Sequence, residues 1–428
     1  MAVIQVVEHE RLMIADRPDP LVKSISPYQA EALERIQHTL PAKALEWGRD
    51  SVKFAQFCGS IAIGQDCIEI LPKIYRREAN YGICRDILIK MLYAAKWLQP
   101  HKCGSGAINL QKHRLLDVFV LQFCDELFLQ LRQGMIKRYV RRSDNLPVLR
   151  GKLLIDQQLK INIAHKERVY CEYHELVSDN QPNRIIKYVL KVLLKSAHAG
   201  SVRKRLTELL YSFEAVQNRI FVKADVEKLV LDRSSNRFAN IFEQCKWFLS
   251  GLSPDVFAGD NRSLVLLFDM NRLFEEFIAR KLKTKAWQHG YKLRTQGPTK
   301  HLVLNEKSDE KAFLLKPDIT LLDEQSEVRA VLDTKWKLLD AVDNKKNISQ
   351  SDLYQMISYA VRYQCSDLHL LYPAHERFSE TDKQSFSVPN TTLRITVHAI
   401  DLVKLTQSDD TECWKAIFTS VNRTSVSI

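Results

Sequence analysis

Glycine and proline are both scarce in this 428-residue sequence, with 13 residues of each. Their scarcity argues against a collagen-like chain or a chain built around long linkers. No apolar run approaches the roughly 18 residues that a membrane-spanning helix requires. The N-terminal stretch also lacks the basic start and apolar run of a signal peptide. We therefore expect no membrane association and no export.

Cysteine usage excludes two further classes of protein. The nine cysteines are odd in number, and no two of them form a CxxC pair. This pattern argues against a disulfide framework and against a cysteine-rich zinc site. The 12 histidines show no spacing typical of metal ligands, so no zinc is expected. A reducing, cytoplasmic compartment fits these cysteines best.

Charge is distributed unevenly along the chain. The net charge is +12 in total, with +1 over residues 1–100, +11 over residues 101–250 and 0 over residues 251–428. A basic segment beside neutral ones suggests a polyanionic partner, most simply nucleic acid. A solvated basic surface without a partner is the alternative.

The same three segments differ in their apolar patterns, and we predict an α/β fold class, α+β overall. Residues 1–100 are predicted to form a β-rich domain, in which residues 57–75 give two strands joined by a turn at residues 64–66. Residues 101–250 are predicted to be mainly helical, with a buried helix at 115–131 that ends near Gly134. Residues 251–428 are predicted to form a small mixed sheet flanked by helices. The predicted helices of this segment are 270–281 and 353–363, and its predicted strands are 313–315, 319–322, 328–332, 368–372 and 393–400.

The strongest chemical signal lies at residues 314–337. Asp318 opens one strand after Pro317, and the strand at 328–332 ends in Asp333, Thr334 and Lys335. Residues two apart on a strand face the same side, so Asp333 and Lys335 point together, and a hairpin can bring Asp318 beside them. Two such carboxylates suit Mg²⁺, with Mn²⁺ as a substitute. A neighbouring lysine that holds or deprotonates a water completes the equipment for phosphodiester hydrolysis.

Three further residues extend this pattern. Glu275 lies upstream on a predicted helix, and Gln355 and Tyr359 lie downstream at a spacing that places them on one helical face. Each residue of the pattern also has an ordinary interpretation when it is taken singly, as a strand end, a solvated helix position or part of the core. In the order Glu, PD, DxK and QxxxY, they resemble the PD-(D/E)XK nuclease superfamily, particularly its QxxxY branch.

The resemblance extends beyond these motifs, over residues 57 to 402. The segments 59–74, 149–158 and 171–187 are similar to McrC, the nuclease subunit of the McrBC 5-methylcytosine restriction system. This resemblance implies a PD-(D/E)XK nuclease domain that cuts double-stranded DNA with an McrB-like AAA+ GTPase hexamer as partner. GTP would be bound by that partner, and the present sequence indeed has no GxxxxGK[ST] loop. The resemblance also assigns motor binding to the N-terminal part of the chain, within residues 1–250.

The expected roles of the site residues follow from the resemblance and the local chemistry. Asp318 and Asp333 are expected to bind Mg²⁺, with the Thr334 carbonyl as a further ligand, and Lys335 is expected to orient or activate water. Glu275 is expected to bind a second metal or to orient Lys335. Gln355 and Tyr359 are expected to support the site or contact the DNA backbone. The basic middle segment supplies candidate contacts to DNA phosphates or to the motor, namely Arg138, Arg141, Arg142 and Arg150.

Two alternatives remain open from the sequence. One is a stand-alone PD-(D/E)XK nuclease that acts in repair or in mobile-element biology. The other is a regulatory module that keeps the nuclease fold as a scaffold without catalysis.

Overall fold

The structure is a computed structural model. It describes residues 3–16, 23–37, 40–42, 44–63, 66–74, 80–98, 114–197, 199–251, 263–337, 339, 348–375, 378–379, 384–407 and 412–425. The fold mixes helices with several sheets, in agreement with the predicted α/β class. No helix within these ranges is long and apolar enough to cross a membrane.

The elements alternate along the chain without a sequence repeat. The strands are β1 Val3–Val7, β2 Arg11–Ile14, β3 Ser24–Ile25, β4 Leu45–Trp47, β5 Ser51–Phe54, β6 Phe57–Ile63, β7 Asp66–Leu71, β8 Arg138–Leu146, β9 Lys152–Leu153, β10 Val169–Val177, β11 Ser263–Asp269, β12 Lys292–Thr295, β13 Lys300–Leu304, β14 Lys311–Leu315, β15 Ile319–Leu322, β16 Val328–Thr334, β17 Asp367–Pro373, β18 Gln384–Ser387 and β19 Arg394–Ile400. The helices are α1 Pro27–Ile36, α2 Tyr81–Ala94, α3 Leu115–Arg132, α4 Ile155–Ile161, α5 Gln181–Ser196, α6 Gly200–Ser212, α7 Lys223–Glu227, α8 Ala239–Ser250, α9 Met270–Gln288, α10 Gln350–Tyr363, α11 Leu402–Gln407 and α12 Glu412–Ser425, with a 3₁₀ turn at Asn236–Phe238.

The chain divides into two compact units. The first unit contains residues 1–61, 66–115 and 267–428, and the second contains residues 62–65 and 116–266. The N-terminal and C-terminal segments of the sequence therefore share one unit.

Two four-stranded sheets contain the N-terminal strands, in the orders β1–β7–β6–β11 and β3–β2–β5–β4. All seven residues of β6 are buried, which is typical of a strand covered on both faces. The two strands predicted within residues 57–75 are confirmed as β6 and β7. The turn predicted between them includes residues 64 and 65, which lie outside the described residues.

A six-stranded mixed sheet holds the predicted chemical residues, in the order β12–β15–β16–β17–β19–β18. β15 and β16 form an antiparallel hairpin, whereas β16, β17 and β19 are parallel. Helix α10 connects β16 to β17 and buries Met356, Tyr359 and Ala360 against the sheet. Its ends are fixed by the Ser349 side chain, which accepts the Asp352 backbone N–H, and by Gln364 in a left-handed conformation.

Most predicted elements of this segment are confirmed, and one is misplaced. The predicted helices are α9 and α10, and the predicted strands at 319–322, 328–332, 368–372 and 393–400 are β15, β16, β17 and β19. The predicted strand at 313–315 exists within β14, but it pairs with β13 in a two-stranded sheet separate from the six-stranded one. Pro317 has no backbone N–H and separates β14 from β15, so the two strands are distinct.

The second unit contains helices and one antiparallel sheet. The buried helix predicted at 115–131 is confirmed as α3, and Gly134 follows its end with a φ of +100°. Residues 101–250, predicted to be mainly helical, contain helices α3 to α8, but they also contain β8 and β10, which pair along nine residues. Every residue of β8 is exposed or only partly buried. The strand is held by backbone hydrogen bonds to β10 rather than by a buried apolar face. Its sequence therefore shows no alternation of apolar residues.

Candidate active site

The β15–β16 hairpin brings the two predicted aspartates together. Ile319 pairs with Leu332 across the hairpin, so Asp318 and Asp333 extend side by side from the paired strands. The backbone N–H and the hydroxyl of Thr334 both donate to Asp318 Oδ2, at 2.8 and 2.9 Å. Thr334 therefore fixes the orientation of the Asp318 carboxylate.

Asp333 and Lys335 face the same side, as the strand period predicts, and form an ion pair through Asp333 Oδ2 and Lys335 Nζ. Asp333 is fully buried, and its Oδ1 has no hydrogen-bond partner among the described residues. Burial raises the pKa of Asp333 well above its usual range, and Asp318 adds to the rise against the opposing effect of Lys335. Burial lowers the pKa of Lys335, but the attraction of Asp333 and Asp318 outweighs it and leaves this pKa raised.

Helix α10 supports the lysine through the predicted glutamine and tyrosine. Lys335 Nζ donates to Gln355 Oε1 at 3.2 Å, and Gln355 Nε2 donates to the Tyr359 hydroxyl at 2.8 Å. That hydroxyl donates in turn to the backbone carbonyl of Lys316 at 3.3 Å. Burial raises the pKa of Tyr359, so the phenol keeps its proton. The two side chains thus link Lys335 to the segment that carries Asp318.

Helix α9 brings a third carboxyl group to the site. Burial, with the nearby charge of Asp318, raises the pKa of Glu275 to about 7. The Gln296 side-chain amide donates to Glu275 Oε1, and the Gln296 backbone N–H donates to the Asp318 carbonyl at 2.8 Å. Gln296 has a positive φ of 53°, a strained conformation for a residue other than glycine. Gln296 was not predicted from the sequence, because no motif marks a residue in this loop.

The donor set fits one hard cation and does not form a closed metal cage. No group of three or more His, Cys, Asp and Glu side chains in the described part of the chain has the arrangement of a metal site. Asp318 and Asp333 nevertheless place two carboxylates together, and Asp333 Oδ1 is buried without a hydrogen-bond partner there. Mg²⁺ commonly uses one or two carboxylates, with waters and substrate phosphates as its other ligands. These residues therefore suit an open Mg²⁺ site.

A cleft of about 920 Å³ opens beside these acids. Helix α9 lines it with Arg272, Arg280 and Lys283, and Lys316 and Lys335 add charge from other segments. Arg272 pairs with Glu276, with 3.0 Å between Arg272 Nε and Glu276 Oε1. The other two α9 cations and Lys316 are exposed and have no ion-pair partner among the described residues. This cationic face was not predicted from the sequence, although spacings of eight and three residues place Arg272, Arg280 and Lys283 on one side of a helix.

The predicted basic cluster does not form one surface. Arg141 and Arg142 are neighbours on β8 and so point to opposite faces, where they pair with Glu172 and Glu175 respectively. Arg138 NH2 lies 3.8 Å from Asp232 Oδ2, and the Arg150 guanidinium lies 4.3 Å from the Tyr173 ring centroid. All four arginines belong to the second unit. Their charges are largely matched within that unit.

Comparisons with known proteins place the chain in a family. Residues 52–373 match the family model of the McrBC 5-methylcytosine restriction system component. The chain belongs to this McrBC family, and the resemblance predicted from the sequence is confirmed. A comparison with curated protein sequences gives no match.

Two solved structures show the same fold. The first is the refined half-complex from the tetradecameric assembly of Thermococcus gammatolerans McrB AAA+ hexamers with bound McrC. Its matching chain has a TM-score of 0.73 and 21% sequence identity, and the match covers 99% of this chain and 100% of that chain. The second is the cryo-EM structure of the Thermococcus gammatolerans McrBC complex. It has a TM-score of 0.52 and 22% identity, with 67% of this chain and 88% of that chain covered.

Proposed function

We propose that this protein is the Mg²⁺-dependent DNA endonuclease subunit of a McrBC-like restriction complex. The observation that carries the proposal is the convergence of Asp318, Asp333 and Lys335 at one end of the β15–β16 hairpin, beside an open cleft. Membership of the McrBC family supports the setting of a restriction system. Hydrolysis of a phosphodiester bond is the chemistry for which two carboxylates and a lysine are suited.

In this proposal, Asp318 and Asp333 hold Mg²⁺ or Mn²⁺, and the Thr334 carbonyl offers a further oxygen. The cation, when bound, supplies charge that polarises a phosphate oxygen and acidifies a water. Lys335 stays protonated through its ion pair with Asp333 and orients the attacking water or offsets phosphate charge. Glu275 orients Lys335 or contributes to a second cation. Gln355 and Tyr359 position Lys335 through the hydrogen bonds that link them.

The α9 cations provide the DNA contact in this proposal. Arg280 and Lys283 are exposed in the cleft and not neutralised by described acids, in contrast to Arg141 and Arg142 on β8. Cations of this kind bind the phosphate backbone without reading sequence. A helix rises about 1.5 Å per residue, so the row from Arg272 to Lys283 extends over roughly 16 Å. That length is enough to follow several phosphates of one strand.

The partner in this proposal is an McrB-like AAA+ GTPase hexamer. The structural match with the half-complex of McrB AAA+ hexamers with bound McrC motivates this choice. The sequence has no GxxxxGK[ST] loop, so the motor and its GTP would be supplied by the partner. Recognition of methylated cytosine would then also belong to the partner.

The test is a cleavage assay on methylated and unmethylated plasmid in Mg²⁺. The purified chain is assayed alone and with an McrB-like partner, in the presence and absence of GTP. We expect cleavage only when partner, GTP and methylated DNA are all present. Cleavage by the chain alone, regardless of methylation and GTP, would contradict the proposal and favour a stand-alone nuclease.

A further inference from the structure

One buried carboxyl group joins three segments of the first unit. Glu8 follows β1 directly and is 3% exposed. The Trp336 indole N–H donates to both Glu8 carboxylate oxygens at 2.9 Å, and the Lys73 backbone N–H donates to Glu8 Oε1 at 3.0 Å. The partners are distant in sequence, because Glu8 and Trp336 are 328 residues apart. The Glu8 side chain thus connects the end of β1 with the end of β16.

Trp336 connects two elements that carry residues of the proposed active site, the end of β16 and helix α9. Trp336 directly follows Lys335, whose backbone N–H donates to the Leu371 carbonyl at 2.9 Å. Its ring packs edge-on against Phe274, with 5.4 Å between the ring centroids. Phe274 directly precedes Glu275 on α9. A shift of the indole would therefore move Lys335, which directly follows β16, and press on the helix that carries Glu275.

We propose that Glu8 is a positioning residue for the nuclease site, acting on Lys335 and Glu275 through Trp336. The inference rests on the proposed function and names a part of its machinery that no motif marks. The buried Trp336 N–H depends on this carboxyl group, and a buried donor without an acceptor costs about 1–3 kcal/mol. Without this acceptor, the Trp336 side chain would adopt another conformation. Misplacement of a reacting group by about 1 Å can lower a rate about a hundredfold.

The network also links two sequence segments that are far apart along the chain. Lys73 belongs to the segment 59–74 and Trp336 to the segment 314–337, and both donate to the Glu8 side chain. The N-terminal strands therefore form part of the support of the active site. Their contribution is the acceptor that holds Trp336 in place.

The first test compares cleavage by wild type, Glu8→Ala, Glu8→Gln and Trp336→Phe in the complete reaction. We expect Glu8→Ala and Trp336→Phe to lower kcat about 10- to 100-fold with little change in KM for DNA. Glu8→Gln keeps a carbonyl oxygen within reach of both N–H groups and should restore most of kcat. The double variant Glu8→Ala/Trp336→Phe should be no slower than the slower single variant.

The matched control is Glu10→Gln in the same segment. Glu10 accepts the Val7 backbone N–H at 3.0 Å and pairs with Lys23 at 2.5 Å, so its contacts stay within the N-terminal segments. We expect this variant to cleave at the wild-type rate. A folded Glu8→Ala protein with wild-type kcat would overturn the inference.

A second readout needs no cleavage. The Trp336 indole N–H resonance, identified through Trp336→Phe, should move in Glu8→Ala and stay in place in Glu10→Gln. Hydrogen exchange of the Lys335 backbone amide should be faster in Glu8→Ala than in wild type. An unchanged resonance and unchanged exchange would show that the Glu8–Trp336 contact does not position Lys335. If wild type cuts no DNA under any condition, the proposed function and the effect of Glu8 on catalysis are both wrong. These two measurements still test whether Glu8 positions Trp336 and Lys335.

Discussion

At the scale of single residues, the site places negative charges where water cannot solvate them. Burial and the neighbouring Asp318 both disfavour ionised Asp333, and only Lys335 compensates within the described chain. Such a cluster is costly on its own and becomes favourable when a cation enters. The buried position of Asp333 therefore favours cation binding rather than the stability of the fold.

The first prediction concerns the buried aspartate. Asp333→Asn keeps the volume and removes the charge, so cleavage should fall about a hundredfold or more. Lys335→Ala should have a similar effect, because the lysine contacts both Asp333 and Gln355. Both variants should still assemble with the partner, which size-exclusion chromatography can measure. Undiminished cutting by either variant would contradict the assigned site.

The matched control for these variants lies at the other end of the same hairpin. Glu327 is exposed and lies 3.5 Å from Arg329 NH2, at the β15–β16 turn. Glu327→Gln removes one carboxylate from the hairpin without touching the cleft. Its cleavage rate should equal that of wild type, since an exposed ion pair contributes little to stability.

The second prediction concerns the effect of pH on stability through Glu8. Burial raises the pKa of Glu8 from 4.5 to about 7, so the folded protein binds this proton more tightly than the unfolded chain. The stabilisation is complete below about pH 4.5 and is lost as the pH rises through 7. The shift corresponds to about 3 kcal/mol between these limits. Glu8→Gln has no proton to lose, so its free energy of unfolding should fall less than that of wild type between about pH 5 and pH 8, measured by urea denaturation.

At the scale of elements, helix α9 carries the charge that the proposed function assigns to DNA. Replacing Arg280 and Lys283 by alanine should weaken binding and reduce the magnitude of the negative slope of log affinity against log salt by about 2. The comparison variant is Arg141→Ala/Arg142→Ala on β8, where carboxylates already neutralise the charges. Fluorescence anisotropy without Mg²⁺ over a series of salt concentrations measures both slopes. A larger reduction of the salt dependence in the β8 variant would indicate that the second unit contacts the DNA.

The elements show which features a sequence reveals. Helix α10 and strands β15, β16, β17 and β19 were predictable, because burial on one or both faces imposes an apolar pattern. The convergence of Asp318, Asp333 and Lys335 was predictable from the strand period and a short hairpin. Strand β8 was not predictable, because its residues are largely exposed and its partner β10 is a separate segment. Arg141 and Arg142 therefore looked like one cluster, although the strand directs them to opposite faces.

Contacts between distant segments were beyond the reach of the sequence. Gln296 contacts Glu275 across 21 residues, and Glu8 contacts Trp336 across 328 residues. Neither contact has a periodic or short-range signal. Gln296 and Glu8, considered alone in the sequence, are ordinary polar residues next to strand ends. Only the sheet order brings them to their partners.

At the scale of the whole molecule, the first unit is discontinuous in sequence. Its C-terminal part supplies the six-stranded sheet with Asp318, Asp333 and Lys335. Its N-terminal part supplies β1, β7 and β6, of which β6 lies next to β11 in one sheet. The Glu8–Trp336 contact and the Trp97–Glu276 hydrogen bond of 2.6 Å join the same two parts. The unit that carries the acids is therefore made by both ends of the chain.

This organisation predicts how fragments behave. A fragment of residues 263–428 would leave β11 without its neighbour β6 and the buried Trp336 N–H without an acceptor. Unpaired strand edges and unsatisfied buried donors are both destabilising. We expect this fragment to lack a cooperative thermal transition by circular dichroism. A variant in which a Gly/Ser linker replaces residues 116–262 keeps both parts and should unfold cooperatively. Cooperative unfolding of the isolated fragment at the wild-type temperature would show that the C-terminal segment is an independent domain and that Glu8 is dispensable to its fold.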